Sequence, residues 1–199
     1  MLDRLRSHSV YVKTLEAVMA GKALQGLGLS RPARLPVLAS LSLDMNVPIL
    51  LITDKVDRAL MMSDELAFWL PDNPRYHFPE PNPMFYEQAA WGAMTRRDRL
   101  SALGALAQYH LPGSQKPDKA TVVVASLRAV MTRTLPRRDF LIASKTIRVN
   151  QQINPVELKR HWVEIGYESV DTVLDHGQFS QRGGILDVWT PSEAFPARL

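Results

Sequence analysis

Two strand-length apolar runs constrain this chain more than anything else in it. Val47-Pro48-Ile49-Leu50-Leu51-Ile52-Thr53 and Thr121-Val122-Val123-Val124-Ala125 are almost unbroken stretches of β-branched and aliphatic residues. A half-exposed strand alternates apolar with polar residues, whereas a parallel strand covered on both faces reads as a continuous apolar run. Each run is followed by a residue able to cap a helix, Asp54 in the first case and Ser126 in the second. A strand followed by a capped helix is the unit of an α/β fold. The first of these helices would place Leu60, Ser63, Ala67 and Leu70 on one face; the second is short and runs through Leu127, Val130 and Met131.

The same rhythm extends on either side. Tyr11, Leu15 and Val18 stand at helical spacing within Ser9 to Ala23, with Gly21 as a stop, and Leu35 to Leu43 reads as a second helix in spite of Pro36. Leu100, Leu103 and Leu106 mark a further helix over Arg96 to Tyr109. Between Pro71 and Pro83 five prolines leave room for an extended connection with at most one short strand around Tyr76-His77-Phe78.

Beyond Phe140 the rule changes. Lys145, Ile147 and Val149 alternate with Thr146, Arg148 and Asn150, the period of a half-exposed antiparallel strand. Asn154-Pro155-Val156-Glu157 is a helix start with an N-cap side chain, proline at the first helical position and glutamate at the third. Leu158, Trp162 and Ile165 form the apolar stripe of that helix, and Gly166 ends it. Val170 to Leu174 and Ile185 to Trp189 read as strands, joined through Asp175-His176-Gly177 and Gly183-Gly184. The boundary between an α/β domain over 1–142 and a partial α+β domain over 143–199 therefore falls near residue 143.

Composition removes whole classes of function. No apolar run approaches the roughly 20 residues that span a bilayer, and with no cysteines there is no disulfide, iron–sulfur cluster, thiolate zinc site or cysteine nucleophile. A reducing, cytoplasmic setting fits, and Met1-Leu2-Asp3-Arg4 does not open a secretory signal. The 24 Lys and Arg exceed the 20 Asp and Glu by a formal charge of +4, and they are spread in short knots such as Arg96-Arg97 and Arg137-Arg138, which read as solvated helix faces. The five histidines show no metal-ligand spacing beside a carboxylate pair; His161, next to Trp162, reads as a helix-surface residue. Asp171, Asp175 and Asp187 lie close in sequence, but strand-edge and turn placement accounts for them. No catalytic residue and no metal site is expected.

One glycine turn sits where a nucleotide-binding domain carries its phosphate loop. A working loop of the form GxxxxGK[ST] uses glycines to wrap backbone N–H groups around phosphate, a lysine for the terminal phosphates and a hydroxyl for magnesium. From Gly28 the chain reads Gly28-Leu29-Ser30-Arg31-Pro32-Ala33-Arg34-Leu35: the second glycine is Ala33, the lysine is Arg34 and the magnesium ligand is Leu35. Without that hydroxyl no metal is held, so ATP hydrolysis is not expected here.

The most informative stretch is Gly166-Tyr167-Glu168-Ser169-Val170-Asp171, then Gly177-Gln178-Phe179-Ser180-Gln181-Arg182-Gly183-Gly184-Ile185-Leu186-Asp187-Val188-Trp189-Thr190-Pro191. Paired glycines allow an unusual turn and display the Arg182 guanidinium beside a strand. Arginine is the preferred anchor for a bidentate carboxylate across an interface, although an ordinary exposed hairpin arginine would read the same way.

This run resembles the UvrB-homology module of the bacterial transcription-repair coupling factors, the Mfd family. The likeness extends backwards: Gly28 to Leu38 is similar to that family's degenerate phosphate loop, Phe78-Pro79 and Tyr86-Glu87 to parts of the loop after its third strand, and Arg97 to Leu103 to the helix that follows. The resemblance implies a helicase-like parallel-sheet domain over 1–142, corresponding to UvrB domain 1a, and an inserted, partial domain over 143–199, corresponding to UvrB domain 2. It further implies that the chain is a fragment that recruits UvrA for nucleotide excision repair, with UvrA contact at Arg182 and Arg198. A downstream motor using ATP and magnesium would displace RNA polymerase from double-stranded DNA at lesions; those cofactors and partners belong to regions beyond Leu199. Two alternatives stay open: a UvrB-like protein, and a non-specific DNA-binding module using the basic surplus.

Overall fold

The computed structural model describes residues 1–81, 91–111, 114 and 116–199. They fall into two units, Met1–Glu80 with Lys116–Thr132, and Pro81–Gln115 with Arg133–Leu199.

The first unit is built on a three-stranded parallel sheet. Strand β1 (Ile49–Thr53) and strand β2 (Arg75–Phe78) flank β3 (Val122–Ser126), so the order is β1-β3-β2. The register sets Leu51 opposite Val124 and Phe78 opposite Ala125. All of β3 is buried, as a central strand made of Val122-Val123-Val124-Ala125 should be. The edge strand β1 departs from the expectation of cover on both faces. Leu51 packs into the core, while Leu50 and Ile52, on the opposite side of the pleat, stay nearly half exposed.

Helices α1 (Leu2–Arg6), α2 (Ser9–Met19), α3 (Arg31–Met45) and α4 (Val56–Trp69) complete this unit with the one-turn-plus α6 (Leu127–Met131). Leu35 and Ala39 of α3 and Ala59 and Leu66 of α4 close over Val122 and Val124. The buried residues of α4 and its cap are thus Ala59, Leu66 and Leu70; of the expected stripe Leu70 is buried, whereas Leu60 is exposed and its place is taken by Ala59. Asp54 does not cap α4 either: Lys55 is the N-cap, and the Asp54 carboxylate pairs with Arg58 at 2.8 Å. Ser126 does cap α6, its hydroxyl accepting the Ala129 N–H at 3.1 Å. Pro32 takes the first turn of α3, where a missing N–H costs least, whereas Pro36 lies inside the helix and removes one i→i−4 bond. Beneath the sheet, the Asn73 amide, 7% exposed, donates to the Ala120 carbonyl at 2.9 Å. The helices are tied by Asp44, which accepts the Tyr11 hydroxyl at 2.5 Å and Arg6 Nε at 2.9 Å. That pairing with Arg6 holds the Asp44 carboxyl below the usual range, and burial first, then Asp44, pushes the Tyr11 phenol up.

The second unit holds α5 (Ala93–Ala107), α7 (Arg137–Ala143), α8 (Pro155–Glu164) and a four-stranded sheet, β4 (Glu168–Ser169), β5 (Gln178–Arg182), β6 (Ile185–Trp189) and β7 (Ala197–Arg198), in that spatial order. Helix α5 buries Arg99, Ala102, Ala105 and Ala107 and leaves Leu100 exposed, so its inner face is not the leucine stripe that the spacing singles out. Asn154 caps α8 as expected, its side-chain oxygen accepting the Val156 N–H at 3.0 Å. Leu158 and Trp162 of α8 pack on Phe179, Leu186 and Val188 of the sheet, while Ile165 is the exposed C-cap. The Trp162 ring lies 5.2 Å from Phe179 and 6.2 Å from Tyr167.

Two strand expectations fail here. Residues 145–150 form no strand: Ile147 alone anchors an irregular segment to the α8 core, and one inward side chain flanked by polar neighbours mimics period two. Val170 to Leu174 is likewise irregular, with Leu174 77% exposed, and the short β4 lies before it. The resemblance at Tyr86-Glu87 lies outside the described residues.

Candidate functional site

The β5–β6 hairpin carries the site. Its register pairs Gln181 with Leu186 and Arg182 with Ile185, leaving Gly183-Gly184 as a two-residue loop. Gly183 has φ +60 while Gly184 is not in the positive region, the pattern of a type II′ turn, whose first central position favours glycine. Paired positions across a sheet share a face, and alternate residues along a strand return to it. One face of this sheet is therefore Phe179, Leu186 and Val188, turned to α8, and the other carries Ser180, Arg182, Asp187 and Arg198.

On that second face Ser180, Asp187 and Arg198 stand in one row across β5, β6 and β7. Arg198 grips Asp187 with two parallel bonds, Nε to Oδ1 at 2.7 Å and Nη2 to Oδ2 at 3.0 Å. This fork-to-fork geometry fixes the plane of the guanidinium. Its effect on titration is mutual: the Arg198 contact, with a further pull from the Arg182 charge, holds the Asp187 carboxyl below the usual range, and Asp187 pushes Arg198 up. Arg182 is fixed differently. Its Nη2 donates to the Asp171 carbonyl at 3.2 Å and to Thr172 Oγ1 at 3.1 Å, both neutral acceptors. The structure thus brings the two arginines singled out by sequence onto one sheet face, both exposed and both held in fixed orientations.

Farther along the same module His176 lies against Trp189, ring centroids 4.4 Å apart, and the Glu193 carbonyl accepts from Trp189 Nε1 at 3.0 Å. The Asp175 carboxyl sits below the usual range because the His176 backbone N–H donates to it. These contacts tie down the turn before β5, the turn-placement role expected for Asp175. His161 turns Nε2 to the Ala143 carbonyl at 3.1 Å, linking α8 to the end of α7. Among the described residues no group of histidine and carboxylate side chains is arranged to hold a metal ion, and no helix is long and apolar enough to cross a membrane.

The glycine turn of the first unit is laid out unlike a phosphate cradle. The segment before it is helix α2 and irregular chain, not a strand, and it enters α3 at Arg31. Gly28 takes φ +63 in open space, and Ala33 spends its N–H on the Ser30 carbonyl at 3.0 Å. Arg34 is exposed, its Nε near the Leu29 carbonyl, whereas Leu35 is 4% exposed and points into the core. The position that would offer a magnesium-binding hydroxyl is a packing residue.

Two side chains of the candidate site escape a reading by sequence alone. Asp187 within Ile185-Leu186-Asp187-Val188-Trp189 is the counter-ion of Arg198; its signal is a carboxylate at a polar position of an otherwise apolar strand. Lys159 reaches Gln181 from the exposed side of α8, and nothing in its helical spacing marks it.

Comparison with known proteins converges on the same module. The family model of the UvrB interaction domain matches residues 146–199, the segment that supplies α8 and all four strands of the second sheet. Over a longer span the chain is similar to the transcription-repair-coupling factor of Bacillus subtilis (strain 168), 30% identical over 172 residues that make up 86% of this chain. The chain is a relative of the transcription-repair-coupling factors. The protein of that name from Myxococcus xanthus is 28% identical over 98% of this chain, and that of Staphylococcus aureus (strain USA300) 25% over 81%. The chain spans only about a seventh of the length of these relatives, 14% of the first and 16% of the second.

Proposed function

We propose that this chain is the UvrA-recruiting part of a transcription-repair-coupling factor, working in the bacterial cytoplasm through the sheet face that displays Arg182 and Arg198. The observation that carries this reading is a coincidence of place: the UvrB-interaction match and the arginine-bearing face are the same 54-residue stretch, 146–199. Two exposed arginines on one sheet, each held in a fixed orientation, are suited to recognition of carboxylates on a protein partner, Arg198 through the N–H groups that Asp187 leaves open and Arg182 with no carboxylate of its own. In this reading residues 1–142 act as a UvrB-like domain 1a whose phosphate loop is degenerate, and residues 143–199 as a UvrB-like domain 2. The buried Leu35 in place of a magnesium-binding hydroxyl supports a chain that does not itself hydrolyse ATP and carries no cofactor. Translocation with ATP and magnesium, and engagement of RNA polymerase and double-stranded DNA, would reside in the parts of the relatives that this chain does not cover.

Calorimetric titration of the chain with UvrA tests the proposal, repeated with Arg182→Ala and Arg198→Ala and with duplex DNA in a parallel cell. Loss of about tenfold or more in affinity for either substitution is expected of a central interface arginine. UvrA binding unchanged in both variants would overturn the arginine face as the contact, and DNA affinity that exceeds UvrA affinity and collapses with added salt would replace recruitment by the DNA-binding alternative.

A further inference from the structure

Beside the arginine face, a groove of about 470 Å³ opens between α8 and the β4 edge, with Lys159, Ser169, Asp171, Thr172, Gln181 and Arg182 along its sides and Phe179 at its floor. Its two cations share an uncommon property. Lys159 Nζ donates to the Gln181 side-chain oxygen, and Arg182 to a carbonyl and a hydroxyl, so both are held by neutral acceptors, and neither is paired with a carboxylate among the described residues. Gln181 is itself fixed, its Nε2 donating to the Gly183 carbonyl at 2.8 Å, which locks the lysine to the hairpin turn. The Asp187 carboxylate, which feels the Arg182 charge, is already closed by Arg198. Asp171 lines the groove but gives Arg182 only its backbone carbonyl.

The rim adds backbone groups. Glu168 and Val170 donate their N–H groups to Gly177 and Phe179 in the parallel pairing with β5. Ser169 lies between them, so its own N–H and C=O alternate to the open side of this edge strand. A concave site with two preoriented and unneutralised cations, hydroxyls and a free strand edge is complementary to an extended peptide that carries a carboxylate side chain.

We propose that this groove seats an acidic side chain of the protein partner between Lys159 and Arg182, which makes Lys159 a second anchor and a determinant of partner choice. The inference rests on the recruitment reading above and adds to it a site and a ligand chemistry. A peptide carboxylate is favoured over a nucleic-acid strand because two cations neutralise too few phosphates to hold one.

The test is titration of the whole 199-residue chain with UvrA, using Lys159→Glu, Lys159→Met and Lys159→Arg beside Arg182→Ala, each checked by circular dichroism for native content. The expected result is a fall of about tenfold or more for Lys159→Glu, a smaller fall for Lys159→Met, and near-native binding for Lys159→Arg. Lys159→Met keeps the aliphatic stem, so it reads out charge even if the reversal disturbs α8. Unchanged affinity in Lys159→Glu and Lys159→Met together with loss in Arg182→Ala overturns the groove and leaves recruitment standing. Absence of UvrA binding by the unmodified chain overturns both, and duplex DNA bound more tightly by the unmodified chain than by Lys159→Met overturns the choice of a peptide.

Discussion

Truncating Trp162 to alanine strikes the support of the arginine face without touching the face itself. A buried tryptophan removes about 200 Å² of mostly apolar surface from water, worth about 5 kcal/mol at about 25 cal/mol per Å². A compact denatured chain already hides about a quarter of that surface, which lowers the figure to about 4 kcal/mol. The cavity left against Phe179 and Tyr167, with their ring contacts at 5.2 and 6.2 Å, pushes it back up. The expected loss is therefore about 3–5 kcal/mol, a large share of the stability of about 5–15 kcal/mol of an ordinary domain. Urea unfolding followed by far-ultraviolet circular dichroism reads it without relying on the fluorescence of the deleted ring. Val163→Ala, on the same helix but 58% exposed, is the control and should change stability by less than about 0.5 kcal/mol. A Trp162→Ala chain that unfolds within about 1 kcal/mol of the control would refute the claim that α8 holds this sheet.

Two further outcomes follow from the backbone and from titration. Gly183→Ala should destabilise by about 1 kcal/mol, because a side chain at φ +60 is strained, whereas Gly184→Ala should be nearly neutral; equal thermal shifts for the two would exclude the type II′ turn. Asp44→Asn should lower the melting temperature at neutral pH and have progressively less effect in acid. The Asp44 carboxyl, held down first by Arg6, contributes stability that is whole above the ordinary carboxylate value of about 4 and is lost as pH falls through its lower folded value. A gap between Asp44→Asn and the unmodified chain that does not change with pH would rule out the Arg6–Asp44–Tyr11 linkage.

The legible parts of the fold were those where one local signal had one physical meaning. Val122 to Ala125 could only be an interior strand, and Asn154-Pro155-Val156-Glu157 could only start a helix. Illegibility arose where burial was decided by distant chain. Helix α4 has apolar residues on more than one side, so its own spacing does not reveal that Ala59 and Leu66, not Leu60, meet the sheet. Strand β5, Gln178-Phe179-Ser180-Gln181-Arg182, holds one apolar residue and was invisible to hydrophobic pattern; its strand character comes from pairing on both sides and a glycine turn at one end. The candidate site divides the same way. Arg182 beside its glycines could be marked from sequence, but that Asp187 lies across from Arg198 depends on the register of two strands whose facing ends, Trp189 and Ala197, are eight residues apart, and no periodicity reports it.

That register has a consequence for a protein related to factors whose name couples transcription to repair. Arg198 brings its own anion. A lone arginine on a surface attracts any passing polyanion, nucleic acid among them. With Nε and Nη2 already engaged by Asp187 at 2.7 and 3.0 Å, the guanidinium's charge is partly neutralised and only its outward N–H groups stay open to an outside anion. A protein surface that supplies a shaped set of contacts around the pair can share the guanidinium's outward N–H groups and leave the internal bond in place.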